Sequence, residues 1–248
     1  MKYSYYTVMK NKTPILIIPG WNTIAFQRNV YAKFWREFII WCWRTRILYI
    51  WEILHYTIRN RVRWIRDLWL NLWDDFEVTQ VFMPSRHFAD YDDWVERFEQ
   101  HVESQDQDMI LVGYSLWALF LVKYLSENPS IHPKIKHIFL AWTFYNIVWW
   151  RWLTSNFQFK EKQLDALSQL PITFYHWAKD QVVPSKNFDD YKHYMKNMPN
   201  KEFILFTDRW HMDKNYYGYN IIKMLQKYFN YWVSNDFPEI VEEIKKMS

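Results

Sequence analysis

Residues 109–128 read MILVGYSLWALFLVKYLSEN, and this stretch decides the fold that the sequence predicts. Its first four residues are apolar, which is the length and composition of a buried β-strand. Apolar residues then recur at positions 118, 121, 122 and 125, the spacing of one face of an α-helix. Between the two lie Gly113, Tyr114 and Ser115. A strand that turns abruptly into a helix, with a serine at the turn, is typical of a nucleophilic serine whose hydroxyl is raised above a sheet.

The motif departs from this pattern at Trp117. The pattern places a glycine two residues after the serine, where a side chain would crowd the start of the helix against neighbouring strands, but the chain has tryptophan there. An alternative therefore stays open. In that alternative Ser115 is the N-cap of a buried helix, and its side chain bonds to the helix backbone.

The composition is that of one large domain with an extensive core. The chain has 248 residues, half of them hydrophobic, and a formal net charge of +4. This length predicts a single domain over residues 1–248. The single cysteine, Cys42, excludes an internal disulfide and is typical of a reducing compartment. Because the sequence has no apolar signal-peptide core and no window of roughly 18 uninterrupted apolar residues, we expect a cytoplasmic protein.

Apolar runs alternate with helical patterns along most of the chain. Strands are predicted at 14–18, 78–82, 109–112, 135–141, 172–176 and 203–206. Helices are predicted after residue 91, over 188–197, around 220–232 and over 238–246, and an aromatic lid or loop over 144–159. Strands that alternate with helices favour a parallel sheet covered on both faces. The predicted fold class is therefore α/β, with a doubly wound, mostly parallel sheet, helices on both faces and a helical insertion.

The helical insertion covers about 24–73. It has no glycine or proline, and it is rich in tryptophan and in basic residues between positions 28 and 66. Such a segment is typical of a helical cap, or of a core helix with a solvated basic face. It is also compatible with contact between 28–66 and an anionic membrane surface. Nucleic acid is the least expected partner, since the net charge is modest.

Two more candidate site residues follow predicted strands. Asp180 comes after strand 172–176 and just before Val182-Val183-Pro184, and His211 comes after strand 203–206. Because the carboxyl ends of parallel strands meet at one edge of a sheet, we expect both residues to lie near Ser115. Serine, aspartate and histidine in this order form one of the chain orders of a catalytic triad. Asp208 is the second candidate for the acid, and the remaining histidines, His176 among them, have no partner pattern.

The chain resembles small serine hydrolases of the α/β-hydrolase superfamily. The stretches that carry the resemblance include PILIIPGWN, ILVGYSLWALFLVKYLSENP, PITFYHWAKDQVVP and FILFTDRWH. The group is the one related to retinoblastoma-binding protein nine and its bacterial homologues. The resemblance implies Ser115 as nucleophile, His211 as base and Asp180 as acid. It also implies an oxyanion hole from the backbone N–H groups of Leu116 and Trp21. The implied activity is carboxylesterase-like hydrolysis of a small-molecule ester, thioester or amide, with no cofactor and no metal.

Tryptophan stands where this family commonly carries glycine, at Trp117, Trp177 and Trp210. The chain has 3 glycines and 17 tryptophans, whereas ordinary usage would give roughly 17 glycines. One hypothesis is that bulky residues replace glycines, as in an engineered sequence. Two alternatives to a working enzyme therefore stay open: a hydrolase-fold binding protein with an impaired site, and a basic amphipathic protein that binds membranes or nucleic acid.

Overall fold

The computed structural model describes residues 12–18, 24–25, 68, 71–72, 74–81, 83–84, 88–145, 155–180, 183–207 and 238–248. Of residues 24, 25, 88 and 155 it describes the backbone only. The strands are β1 (Pro14–Ile18), β2 (Ile24–Ala25), β3 (Glu77–Gln80), β4 (Phe88–Ala89), β5 (Met109–Tyr114), β6 (Ile135–Ala141), β7 (Ile172–Trp177) and β8 (Lys201–Phe206). The α-helices are α1 (Tyr91–Glu103), α2 (Leu116–Glu127), α3 (Lys186–Met195) and α4 (Pro238–Lys245). Three 3₁₀ helices span Pro129–Lys134, Ser155–Phe157 and Glu161–Leu167.

Six strands form one sheet in the order β3-β1-β5-β6-β7-β8. Every pair of neighbours in this sheet is parallel. β2 and β4 make a separate parallel pair. The sheet confirms the predicted α/β class with its parallel, doubly wound arrangement.

Alternate residues of the central strands enter two different cores, because successive side chains of a strand point to opposite faces. On one face, strand residues such as Leu16, Leu111 and Leu140 pack in a cluster with α1, α2 and α3. On the other, residues such as Ile17, Val112 and Phe139 pack in a cluster with α4 and with the helical residues Leu68 and Leu72. The central strands β1 and β5 are therefore apolar on both faces, which explains why they were the clearest signals in the sequence.

The observed elements differ from the predicted ones mainly at their ends. β3 is 77–80 rather than 78–82, and β8 begins at Lys201 rather than at 203. The apolar pattern missed the start of β8 because its first residues, Lys201 and Glu202, are polar. Ile24–Ala25 is a strand, so the helical segment predicted from about 24 does not begin there. Leu68 and 71–72 are helical as predicted, and the rest of 26–73 lies outside the described residues, as do 146–154 and 220–232.

The order of the strands locates a crevice at the carboxyl ends of β1 and β5. The chain runs from β1 to β3 on one side and then returns to place β5 on the other side of β1. From β5 it continues outward through β6, β7 and β8. Such a reversal of strand order opens a crevice beyond the carboxyl ends of the two strands involved, and ligands of open parallel sheets bind there. Ser115 follows directly after β5, so the topology places it at this crevice.

Candidate active site

Ser115 occupies a backbone conformation that favours glycine. Its φ is 57° and its ψ is −125°, in the turn between β5 and α2. These angles match the first central residue of a type II′ turn, where a side chain is strained. The N–H of Ser115 donates to the carbonyl of Ala141 at the end of β6, with 2.9 Å between nitrogen and oxygen. The turn is thus held against the sheet, and the strain on Ser115 is of the kind that is concentrated at functional sites.

The side chain of Ser115 does not cap α2. Its backbone carbonyl accepts from the N–H groups of Ala118 and Leu119, as the N-cap carbonyl of a helix does. The Ser115 side chain makes no hydrogen bond to the helix backbone. The alternative reading of Ser115 as a side-chain cap is therefore wrong. The physical reason is that residues whose side chains cap a helix typically have β-region backbone angles, which Ser115 does not have.

Gly113 lets α2 pass close to β5. A Cβ atom at this position would lie 2.8 Å from Cδ1 of Leu121 and 3.0 Å from Cα of Ala118. Both contacts are shorter than ordinary packing allows, and Leu121 is itself fully buried. The close contact between β5 and α2 is therefore at Gly113 and Ala118. The pattern described for the sequence also has a glycine at position 117.

Gly113→Ala is expected to lower the free energy of unfolding by about 1–3 kcal/mol, the usual cost of forcing a methyl group into a packed core. Urea denaturation followed by circular dichroism measures this change. Leu121→Val, which removes the Cδ1 atom from the shortest contact, should restore part of the loss in the double variant. A fully stable Gly113→Ala protein would contradict the close packing described for the turn.

Trp117 is accommodated by stacking and not by a strained backbone. Its indole ring lies 3.8 Å from that of Trp94 on α1, with the ring planes nearly parallel. Trp94 in turn donates its indole N–H to the carbonyl of Pro84. The described residues with positive φ are Ser115, Trp142 and Asn200, so Trp117 has an ordinary backbone conformation. Tryptophan at this position thus contributes to the core between α1 and α2.

Trp177, the second tryptophan at a glycine-like position, also has an ordinary φ. It stacks on Trp142 with 3.7 Å between ring centroids. The backbone at these two positions gives no support to the hypothesis that tryptophan replaces an obligatory glycine. Trp210, the third position of that hypothesis, lies outside the described residues.

Trp142 is a residue of this region that the sequence did not single out. It directly follows β6, and its φ is 53°. In the sheet, β6 lies between β5, which ends before Ser115, and β7, which ends before Asp180. A bulky residue at positive φ costs of order 1–3 kcal/mol and persists only when its surroundings fix it. Its ring is fully buried, face to face with Trp177 and edge-on to Tyr114. A tryptophan directly after a strand gave no signal of positive φ, so sequence reasoning had no means of finding it.

Asp180 lies in the turn after β7 and is almost completely buried. Its N–H donates to the carbonyl of Trp177, and its carboxylate Oδ1 accepts from the N–H of Val183 at 2.9 Å. A backbone N–H that donates to a carboxylate oxygen fixes the orientation of that side chain. The structure therefore presents the residue predicted as the acid in a fixed orientation at the carboxyl edge of the sheet.

The charge of Asp180 acts on Tyr114, the last residue of β5. Burial raises the pKa of Tyr114 well above its ordinary value, and the negative charge of Asp180 raises that pKa further. Tyr114 immediately precedes Ser115. The electrostatic effect of Asp180 on Tyr114 therefore acts between the turn after β7 and the turn after β5. The two strands are separated only by β6, which sets them roughly 10 Å apart. That spacing leaves room for one imidazole ring between a serine hydroxyl and a carboxylate.

The other predicted site residues are not among those described. His211, Trp21 and the rival acid Asp208 lie outside the described residues, as does the basic segment 28–66. Leu116 is the first residue of α2, directly after Ser115. The structure therefore brings together Ser115, Leu116 and Asp180 at one edge of the sheet, and β8 ends beside β7, so the chain toward His211 leaves from the same edge.

Two kinds of feature are absent from the described part of the chain. No group of three or more histidine, cysteine, aspartate or glutamate side chains there could hold a metal ion. None of the helices described there has both the length and the apolar character that crossing a bilayer requires.

Comparison with known proteins gives structural matches but no sequence matches. No protein-family model matches the chain, and no curated protein matches it. The ydeN gene product of B. subtilis has a similar structure, with a TM-score of 0.54 and 14% sequence identity over 88% of this chain and 99% of that one. A carboxylesterase from Lactobacillus plantarum WCFS1 gives 0.53 and 12%, over 87% and 80% of the two chains. A bromoperoxidase from Bacillus anthracis gives 0.52 and 13%, over 89% and 90%.

These similarities establish the fold. The chain has an α/β-hydrolase-like fold, with its six-stranded parallel sheet and helices on both faces. The similar structures include proteins described as a carboxylesterase and as a bromoperoxidase, so the fold is compatible with more than one reaction. Function must therefore be argued from the site itself.

Proposed function

We propose that this protein is a serine hydrolase that cleaves a carboxylic ester, with Ser115 as nucleophile, His211 as base and Asp180 as acid. The observation that carries the proposal is the conformation of Ser115. A strained, positive-φ serine lies between a central parallel strand and a helix, and its side chain is not used to cap that helix. This agrees with the resemblance of the sequence to small serine hydrolases, and with similar structures that include a carboxylesterase.

The nucleophilic step would take place at the amino end of α2. The Ser115 hydroxyl attacks the ester carbonyl carbon while His211 removes the hydroxyl proton, and the carbonyl oxygen becomes an oxyanion. Leu116 supplies a backbone N–H from the first turn of α2, where N–H groups have no acceptor within the helix. No acidic side chain lies in that turn, so the positive end of the helix dipole is not neutralised there. The backbone N–H of Trp21, which follows β1 in the chain, would supply the second donor.

The reaction then proceeds in two halves. The tetrahedral intermediate collapses, the bond to the alcohol oxygen breaks, and the imidazolium of His211 returns its proton to the departing alcohol. Water, deprotonated by His211, attacks the acyl-enzyme and releases the carboxylic acid with free Ser115. Throughout, the Asp180 carboxylate holds the imidazole in one tautomer and stabilises its protonated form. The rigid turn that holds Asp180 by backbone hydrogen bonds suits this role.

Labelling with a fluorophosphonate probe tests the proposal directly, because the probe reacts only with an activated serine. We expect wild type to be labelled, and both Ser115→Ala and His211→Ala to lose labelling. Ser126→Ala is the matched control, since Ser126 lies on the same helix, is equally buried and donates its hydroxyl to the carbonyl of Lys123. Labelling that survives Ser115→Ala, or a folded wild type that is not labelled, would reject the proposal in favour of a binding protein.

A further inference from the structure

We infer that His176 is a positioning residue for the proposed reaction, which it serves by fixing the turn that carries Asp180. This inference rests on the proposed function, since it concerns the acid of that same site. His176 lies on β7, one residue before the strand ends, and its side chain is almost completely buried. No sequence pattern singled it out, because a hydrogen bond to a backbone carbonyl requires no particular residue type at the accepting position.

A chain of two hydrogen bonds joins His176 to the acid. The ring atom Nε2 of His176 lies 2.9 Å from the carbonyl oxygen of Val183. The N–H of the same residue, Val183, donates to Oδ1 of Asp180, also at 2.9 Å. A carbonyl oxygen can only accept, so Nε2 of His176 carries the hydrogen. Val183 is therefore held from both sides, by its carbonyl and by its N–H, and both bonds are buried.

The segment after Val183 is anchored separately. Asn187 on α3 donates both its backbone N–H and its side-chain amide to the carbonyl of Pro184. Val183 itself is fully buried, with its side chain in the core beside Trp177. Among the described side chains, that of His176 fixes the Val183 carbonyl. His176 lies on β7 and not on the loop that follows β7. Its ring also lies beside Phe188 of α3, which limits rotation.

Loss of the hydrogen bond between His176 and the Val183 carbonyl should change the position of the Asp180 carboxylate. A buried carbonyl without a partner is unfavourable, so the turn would move to satisfy it. Movement of Val183 would displace its N–H from Asp180 and let the carboxylate rotate. A displacement of about 1 Å at a catalytic group reduces the rate by about 10²-fold. The effect should fall on kcat rather than on KM, because the acid stabilises the imidazolium that forms in the transition state.

Two substitutions separate this role from general packing. The side-chain amide nitrogen of glutamine reaches the place of Nε2, whereas that of asparagine is one methylene shorter. We expect His176→Asn to lower kcat for p-nitrophenyl acetate hydrolysis by about 10- to 100-fold with little change in KM. His176→Gln should recover most of this loss. The acid limb of the pH dependence of kcat/KM should also move to lower pH in His176→Asn, since a displaced carboxylate stabilises the imidazolium of His211 less.

A double-mutant cycle with Asp180→Asn decides the inference. If His176 acts through Asp180, His176→Asn should have little further effect in the Asp180→Asn background. Additive effects, or equal losses in His176→Asn and His176→Gln, would overturn the inference and leave the proposed function intact. Hydrolysis that Ser115→Ala does not abolish would instead reject the proposed function, and the positioning role with it.

Discussion

Ser115→Ala is expected to lower kcat/KM for p-nitrophenyl acetate by about 10⁶-fold. The substitution removes the atom that forms the acyl-enzyme, so only the oxyanion donors and substrate binding remain. The backbone of the turn should not change, because alanine keeps the Cβ atom at the same φ of 57°. Steady-state hydrolysis, followed by release of p-nitrophenolate, measures the loss.

Ser115→Gly separates the chemistry from the strain. It should be as inactive as Ser115→Ala, but its free energy of unfolding should exceed that of Ser115→Ala by about 1 kcal/mol. Relief of a strained backbone of order 1–3 kcal/mol is partly offset by the greater chain entropy of unfolded glycine. Urea denaturation of the two variants gives the difference. A Ser115→Gly protein that is less stable than Ser115→Ala would contradict the strain inferred from the backbone angles.

Asp180→Asn is expected to lower kcat by about 10⁴-fold while leaving the fold intact. The carboxamide oxygen of asparagine can still accept from the N–H of Val183, so the turn after β7 should keep its conformation. The neutral side chain, however, does not stabilise the imidazolium of His211, and it favours the wrong tautomer. Single-turnover kinetics with an activated ester measures the effect on acylation, and circular dichroism checks the fold.

Asp208→Asn is the matched control, because Asp208 is the rival acid by its nearness to His211 in the chain. We expect this variant to keep most of the activity. The expectation rests on Asp180, whose carboxylate is buried and accepts from the N–H of Val183. A large loss in Asp208→Asn together with a small one in Asp180→Asn would assign the acid to Asp208.

The sequence alone did not show how the fold accommodates the departures from the family pattern. The missing glycine at Trp117 suggested a crowded or blocked turn. The structure relieves the crowding by stacking Trp117 on Trp94, a residue 23 positions earlier on another helix. Only the packing of α1 against α2 brings these two rings together, and no local pattern predicts that contact.

The sequence alone determined the class of fold and the residues of the candidate site that are described. Apolar runs of strand length, alternating with helical periodicity, specify a parallel sheet with both faces covered, because every central strand must be apolar on both sides. The strand–turn–helix pattern marked Ser115, and the position just after a buried strand marked Asp180. These signals are local, since each depends on residues close together in the chain.

Only the tertiary structure decided how these residues meet. The order β3-β1-β5-β6-β7-β8 places the crevice at the end of β5 and sets Asp180 two strands away from Ser115. The positive φ of Trp142 and its stacking on Trp177 likewise depend on contacts between separate elements. The hydrogen bonds from His176 through Val183 to Asp180 depend on how the chain turns back after β7. Such contacts are fixed by the packing of the whole chain and leave no periodic trace in the sequence, which is why the residues that hold the site were found only in the structure.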